Sequence, residues 1–567
     1  MTPTKRARRA RAAIAGGALC ALLATGCGGG SSNDGGGGGG GGGAGSDTLN
    51  IFSGASGDFQ ANFNPYSPTK LEGAGSIFEP LFFLNIARSE DPVPLLGTEY
   101  SWNEDGTELS ITLREGVEWS DGEAFTADDV KFTFDMLREN EAINSIGFDG
   151  ETTVVDDTHV TVAFESTAYM DAAELLGRTW IVPEHIWSDV DPATDTMTEP
   201  VGTGPYTLGE FKAQSFTLTA NPNHWDGEPA VKTIRSLSLS GNQAGADALS
   251  AGQVDWLTSP VPSLDRVEEV YPGYTSVVAN TFQIVLGTCS NEELGCEGPQ
   301  TDPAVRQAIY HAMDRETIDS LAFQGIAAPM SPGFGLPDRD YISPDLENQV
   351  TEMTGDVESA TAVLEAAGWE RDGDGLYQRD GEELSLSVRA VSGWTDYITT
   401  LQTMTEQLRA AGIELIVEQS SWNEWSEARG RGDYELIIDA LNPGPTADPY
   451  WQYINYYTSE NTQPVGENTN TNWARYANPE VDAAIEELSH IDPADADARQ
   501  PHLDLIQTTI EQEMPYIPVL LNGTVSIWNQ DKFTGWPTED DLYTFPALWQ
   551  SPDNSLVYKN LRPAGGE

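Results

Sequence analysis

Cationic side chains are scarce in this chain. Its 567 residues carry 29 Lys and Arg against 89 Asp and Glu, a formal charge of -60. Nucleic-acid recognition needs clustered Lys and Arg to meet phosphates, so that class of partner is excluded. The acids are spread along the chain and identify no cationic ligand by themselves. They keep the surface soluble and self-repelling, a repulsion that salt screens. Histidine is equally sparse: His159, His185, His224, His311, His490 and His502 are scattered, with no pair at metal-ligand spacing. HExxH, GxSxG and a phosphate-cradling glycine loop are all missing. The reading therefore assigns no metal, no cofactor and no catalytic residue, which points to a binding protein. Bilayer-length apolar runs are lacking as well. The N-terminal run from Ala12 to Ala24 is too short to span a membrane as a settled helix.

Cysteine is almost absent, with four in all. Cys20 lies in the N-terminal apolar run, which follows the basic cluster Lys5, Arg6, Arg8, Arg9 and Arg11. The run ends at Leu23-Ala24-Thr25-Gly26-Cys27, which resembles a lipoprotein cleavage box with Cys27 as the lipidated residue. Ala24 departs from the Leu, Ile or Val usual there, and an ordinary secretory signal is the alternative. Residues 1–26 are read as signal peptide and 27–46 as a tether, because glycines 35 to 43 have no side chain to bury and much entropy to lose. A flexible segment of that length spans roughly 25 Å. The expected location is the outer face of the cell membrane, in a periplasmic space or at the cell surface. Cys289 and Cys296 stand in the polar loop TCSNEELGCEG, and outside the cytoplasm they are expected to form a disulfide.

What the chain does have is a series of local signatures. Leu113 to Phe134 reads LREGVEWSDGEAFTADDVKFTF. Turn residues flank Val117 and Trp119, and Thr126 is placed to cap a helix with Asp128 and Asp129 in its first turn. Val130, Phe132, Phe134 and Leu137 supply the packing face. Before it come Phe78-Glu79-Pro80-Leu81-Phe82 and Pro92-Val93-Pro94. After it come Ile181 to Trp187 (IVPEHIW), Val201 to Tyr206 (VGTGPY), Asn221 to Trp225 (NPNHW) and Ala251 to Asp255 (AGQVD). Val305 to Ile309, Ala367-Gly368-Trp369 and Arg475 to Glu480 complete the series. In this order, from about Leu49 to about Trp549, the chain resembles the family 5 solute-binding proteins, the peptide-type receptors of bacterial ABC importers. That resemblance implies an α/β, two-lobed periplasmic-binding-protein-like fold of type II, with an extra inserted domain and a hinge between lobes. It places lobe I at 47–78, 199–280 and 523–567, the insert at 79–198 and lobe II at 281–522. It also implies a monomer that passes its ligand to ABC permease and ATPase subunits.

Several look-alike sites dissolve on inspection. Pro205 removes an amide donor from Gly202 to Tyr206, which suits a rigid turn better than an anion site. Glu370 to Gly375 resembles the opening of a calcium loop, but its twelfth position falls on Gly381, and the glycines suit a hairpin turn. Asp128-Asp129, or Glu424 near Glu427, are adjacent by chance in so acidic a chain.

Ligand-binding candidates concentrate between Val391 and Tyr457. Trp394 and Tyr397 follow a strand-like run, and the loop after Leu436-Ile437-Ile438 carries Asn442 and Asp448; ligands sit at the carboxyl ends of such strands. Trp422, Trp451 and Tyr453 add flat apolar faces. Trp425, Tyr456 and Tyr457 are read as core, and Trp119, Trp187, Trp225 and Trp369 as structural. In peptide-binding relatives an Asp three residues before an acidic-Pro dipeptide pairs with the ligand's amino group. Here the dipeptide is Asp448-Pro449 and the anchor position is Pro445, leaving Asp439 or Asp448 as substitutes. A peptide ligand and an oligosaccharide stacked on the aromatic faces both remain open.

Overall fold

The computed structural model describes residues 47–565 apart from 55–57, 68, 89, 145, 260, 336–340 and 470. The signal, Cys27 and tether lie outside the described residues. Ten strands form one mixed sheet: β1 (Thr48–Phe52), β2 (Tyr206–Lys212), β3 (Ser215–Ala220), β4 (Thr233–Leu237), β5 (Trp256–Leu257), β6 (Tyr274–Thr288), β7 (Ser385–Val391), β8 (Glu414–Ser420), β9 (Leu436–Leu441) and β10 (Tyr516–Asn529). Their order across the sheet is β8-β7-β9-β6-β10-β5-β1-β4-β3-β2.

The middle pair explains the architecture. β6 and β10 run antiparallel over almost their whole length, with β7, β8 and β9 on one side of the pair and the other five strands on the other side. Register shifts interrupt their pairing at Asn280/Phe282 and Ile284/Val285. One half is built on β7, parallel to both β8 and β9. The other is built on β1, parallel to β4 and β5. β9 is apolar at successive positions because it is covered on both faces, as a central strand must be. This is the two-lobed α/β class that the resemblance implies. Among the described residues, no helix is long and apolar enough to cross a membrane.

A four-stranded antiparallel sheet from strands Gly97–Trp102, Glu108–Leu113, Glu151–Asp156 and His159–Ala163 lies apart from the main sheet. Helix Ala127–Glu139 packs on it, with Val130, Phe134 and Leu137 buried. Thr126 caps that helix as expected, in a capping box with Asp129. Asp129 does more than complement the dipole. Its carboxylate accepts from the Thr126 amide at 3.0 Å, Trp119 Nε1 at 3.3 Å and the Glu184 amide at 3.0 Å. Two of the sequence signatures, WSDGEAFTADD and IVPEHIW, therefore meet on one buried side chain.

Other motifs also prove to be joints. Glu79 takes hydrogen bonds from His224 Nε2 at 3.2 Å and Trp225 Nε1 at 3.1 Å, across about 145 residues of sequence. Gly202 and Gly204 are small because the backbone of Ile77 and Ser76 passes beside them. A Cβ would stand 1.9 Å from the Ile77 carbonyl oxygen at Gly202 and 2.4 Å from that of Ser76 at Gly204. Glu370–Arg371 and Tyr377–Arg379 pair as the expected hairpin. Trp119, Trp187 and Trp369 are buried, as are Trp425, Tyr456 and Tyr457.

Candidate functional site: a cavity beside the loop after β9

β9 delivers its carboxyl end into the loop Asn442 to Asp448, which leads into helix Tyr450–Tyr456. The loop is self-supporting. Asn442 Oδ1 accepts from the Gly444 amide at 3.0 Å, and the Asn442 amide donates to the Tyr456 hydroxyl at 3.2 Å. Asp448 accepts from the Tyr450 amide at 2.9 Å, at the start of the following helix. The same carboxylate forms a two-pronged ion pair with Arg499, at 2.7 and 2.9 Å. Both groups are withdrawn from solvent, with 7% and 1% of their side chains exposed.

Helix Asp171–Gly177 lines a cavity together with this loop. Met170, just before it, is buried and belongs to the same apolar cluster as Tyr450, Trp451 and Ala447. The cavity measures about 330 Å³. Residues between 84 and 176 contribute Arg88, Glu90, Asp91, Tyr100, Tyr169 and Met170 to its walls. Residues between 341 and 493 contribute Tyr341, Thr446, Asp448, Trp451 and Pro493. The cavity thus combines aromatic surface with a few polar groups, the usual composition of a ligand site. Its size is near the lower end of the roughly 300–1,000 Å³ typical of such pockets. Among the described residues, no group of three or more His, Cys, Asp or Glu is arranged to hold a metal ion.

The candidate residues separate into distinct places. Asp448 and Trp451 line the cavity. Trp394 and Tyr397 belong to an aromatic cluster with Trp425, at centroid distances of 5.5 Å (Trp394–Tyr397) and 5.0 Å (Trp394–Trp425). Trp422 stands on the surface, 57% exposed. Tyr453 is fully buried and donates its hydroxyl proton to the Gly333 carbonyl at 2.9 Å. Asn442 closes its own loop. Asp439 is paired with Arg429, and burial raises its pKa above the ordinary carboxylate value although that arginine opposes the shift. Tyr100, Tyr169 and Met170 went unread because the aromatic count favoured lobe II. Pro92-Val93-Pro94, a motif just after Asp91 and before Tyr100, was the available pointer to this wall.

The profile described as bacterial extracellular solute-binding proteins, family 5 Middle, matches residues 91–464. The chain belongs to this family. Among family 5 relatives, Protein XP55 of Streptomyces lividans is 32% identical over 391 residues, covering 68% of each chain. Oligopeptide-binding protein AppA of Bacillus subtilis is 24% identical over 463 residues, 78% of this chain and 81% of that one. The periplasmic oligopeptide-binding protein of a Thermotoga maritima oligopeptide ABC transporter superposes with a TM-score of 0.83 at 23% identity, covering 91% of this chain and 99% of that one. A second structure of that protein, bound to mannohexaose, gives a TM-score of 0.75, also at 23% identity, covering 92% and 99%. Family 5 is a family of solute-binding proteins, so the cavity lined by Asp91, Tyr100, Asp448 and Trp451 is a candidate for where the solute sits.

Proposed function

We propose that this family 5 chain is the receptor of an ABC importer, capturing short peptides between two closing lobes and delivering them to a membrane permease. The observation that carries this reading is the 330 Å³ cavity itself, walled by both the insert and lobe II. A ligand there touches both bodies at once, so its contacts are complete only when the lobes are closed, and binding drives closure. The names of the Bacillus and Thermotoga relatives favour peptides, and the small cavity favours short ones. Anchoring through Cys27, action as a monomer and energy from separate ATPase subunits belong to the same reading.

An oligosaccharide is the second reading. It is supported by the Thermotoga maritima neighbour, one structure of which holds mannohexaose. Here Trp451 and the cavity tyrosines offer faces for sugar rings. Thermal unfolding of the full-length chain with a short-peptide pool, and separately with an oligosaccharide pool, decides between them. A ligand bound only by the folded state stabilises by about 2.7 kcal/mol at a hundredfold excess over its dissociation constant. Stabilisation by peptides alone is the expected outcome. Stabilisation by sugars alone moves the assignment to oligosaccharides, and chemical turnover of either pool ends the receptor reading.

A further inference from the structure

A second cavity, of about 520 Å³, lies against the Tyr274–Asn529 end of the β6–β10 ladder, the end away from β9. It shares no lining residue with the cavity beside the loop after β9. Its aromatic lining is Trp528, Phe533 and Trp536. The Trp528 and Trp536 rings are stacked, with centroids 5.1 Å apart. The turn carrying Trp536 is held in place: Trp536 Nε1 donates to the Phe533 carbonyl at 3.0 Å, and the Tyr543 hydroxyl donates to the Gly535 carbonyl at 2.8 Å. Trp528 is only 3% exposed, and its Nε1–H is bonded to no group among the described residues. Unlike Nε1 of Trp425 and Trp451, it is not sealed from solvent. The charge at this lining is of one sign. Its charged residues are Glu539 and Asp540, both exposed and neither in an ion pair among the described residues. The adjoining Asp541 already holds a guanidinium, that of Arg88 at 3.3 Å, and the Asp540 carbonyl accepts from the same group at 2.9 Å. Elsewhere the chain sets Arg114 over Trp225 at 3.9 Å and Arg379 over Trp369 at 4.4 Å. Among the described residues no cation lies over Trp528 or Trp536.

We propose that this second cavity binds a guanidinium cation of the arginine type, stacked on the Trp536 ring and paired with Glu539 and Asp540, while a carbonyl oxygen of the same ligand accepts from Trp528 Nε1. The site stands apart from the solute cavity, so it does not depend on which solute the receptor carries. Tryptophan is the aromatic ring that attracts a cation most strongly. A guanidinium is planar, so it can lie on that ring and still turn N–H donors at its edge toward carboxylates. A compact ammonium would meet the acids without stacking flat. A neutral ring would stack but gain nothing from the charge of Glu539 and Asp540.

The test is hydrogen–deuterium exchange of the full-length chain, titrated with N-acetyl-arginine amide, with acetyl-Gly-Arg-Gly-amide and with N-acetyl-citrulline amide, which keeps the shape of arginine without its charge. The arginine probes are expected to slow exchange saturably in peptides covering 528–541. The citrulline probe is expected to bind about tenfold more weakly, the effect of losing hydrogen bonds from a charged group. Glu539→Gln combined with Asp540→Asn is expected to weaken the arginine probes by about fivefold and to leave the citrulline probe unchanged. Trp536→Leu is expected to weaken the arginine probes by about fivefold or more. The double acid variant changes exposed side chains alone, so it reads the site even where Trp536→Leu fails to fold. Tighter binding of the tripeptide than of the arginine derivative supports the site as one for an arginine on another polypeptide; equal binding supports it as one for a small molecule. Equal protection by arginine and citrulline probes, unchanged affinity in the double acid variant, protection confined to residues 441–453, or no protection by any probe overturns the proposal.

Discussion

At the scale of single residues, the Asp448–Arg499 pair shows how a candidate site residue can be committed elsewhere. Both side chains are buried, and each lone pair or proton turned toward the other offsets a desolvation cost that neither could bear alone. Removing one partner leaves an uncompensated buried charge. Arg499→Met is therefore expected to lower the unfolding free energy by about 3–5 kcal/mol in urea titrations. Adding Asp448→Asn should restore part of that loss, because the orphaned charge is gone. A double variant that loses the sum of the two single losses would mean that the two groups are not coupled. Asp448 could be picked out from the acidic-Pro dipeptide, but its partner could not. Arg499 lies 51 residues away in a polar helix, and nothing local distinguishes it from the other arginines. Gly287 is a similar case. A Cβ there would stand 1.8 Å from the Trp473 ring, a close approach that only the folded chain creates.

At the scale of elements, the motifs that carry the family resemblance act as joints between segments. Asp129 binds the start of its own helix, the preceding turn through Trp119 and the helix beginning at Glu184. Asp129→Ala should cost about 3 kcal/mol, combining a lost helix cap with hydrogen bonds to a charged acceptor. Its pH dependence has a defined sign. Burial raises the Asp129 pKa against the three donors that oppose the shift. A carboxyl raised on folding contributes stability below its unfolded pKa and loses it as pH rises through the folded value. The stability advantage of wild type over Asp129→Asn should thus narrow from about pH 4 to about pH 7. A widening gap in denaturant titrations at the two pH values would reverse that assignment. The helix itself was legible, since cap, first-turn acids and packing face are all local. The three-way junction was not, because two of its donors, the Trp119 indole and the Glu184 backbone amide, belong to other segments. The insert wall of the cavity escaped for a related reason: Tyr100 and Met170 acquire a role only where the insert meets lobe II.

At the scale of the whole molecule, two demands conflict. The proposed receptor role has two bodies closing on a ligand, yet the chain carries a formal charge of -60. Like charge spread over both bodies opposes compaction in general and closure in particular. The strands β6 and β10 resist this by tying the halves through one continuous ladder, and Met170 adds an apolar contact across the cavity side. Neither removes the repulsion; dissolved salt does. The screening length falls from about 10 Å at 0.1 M to about 3 Å at 1 M ionic strength. The unfolding midpoint should therefore rise with KCl, and the radius of gyration of the ligand-free chain should fall as the closed arrangement gains population. The two readouts separate the sources. A midpoint that rises while the radius stays constant locates the repulsion within each body, whereas a change in both locates part of it between them. A midpoint that is flat or falling in KCl would mean that the acids are dispersed enough, or paired enough, for their net charge not to limit stability.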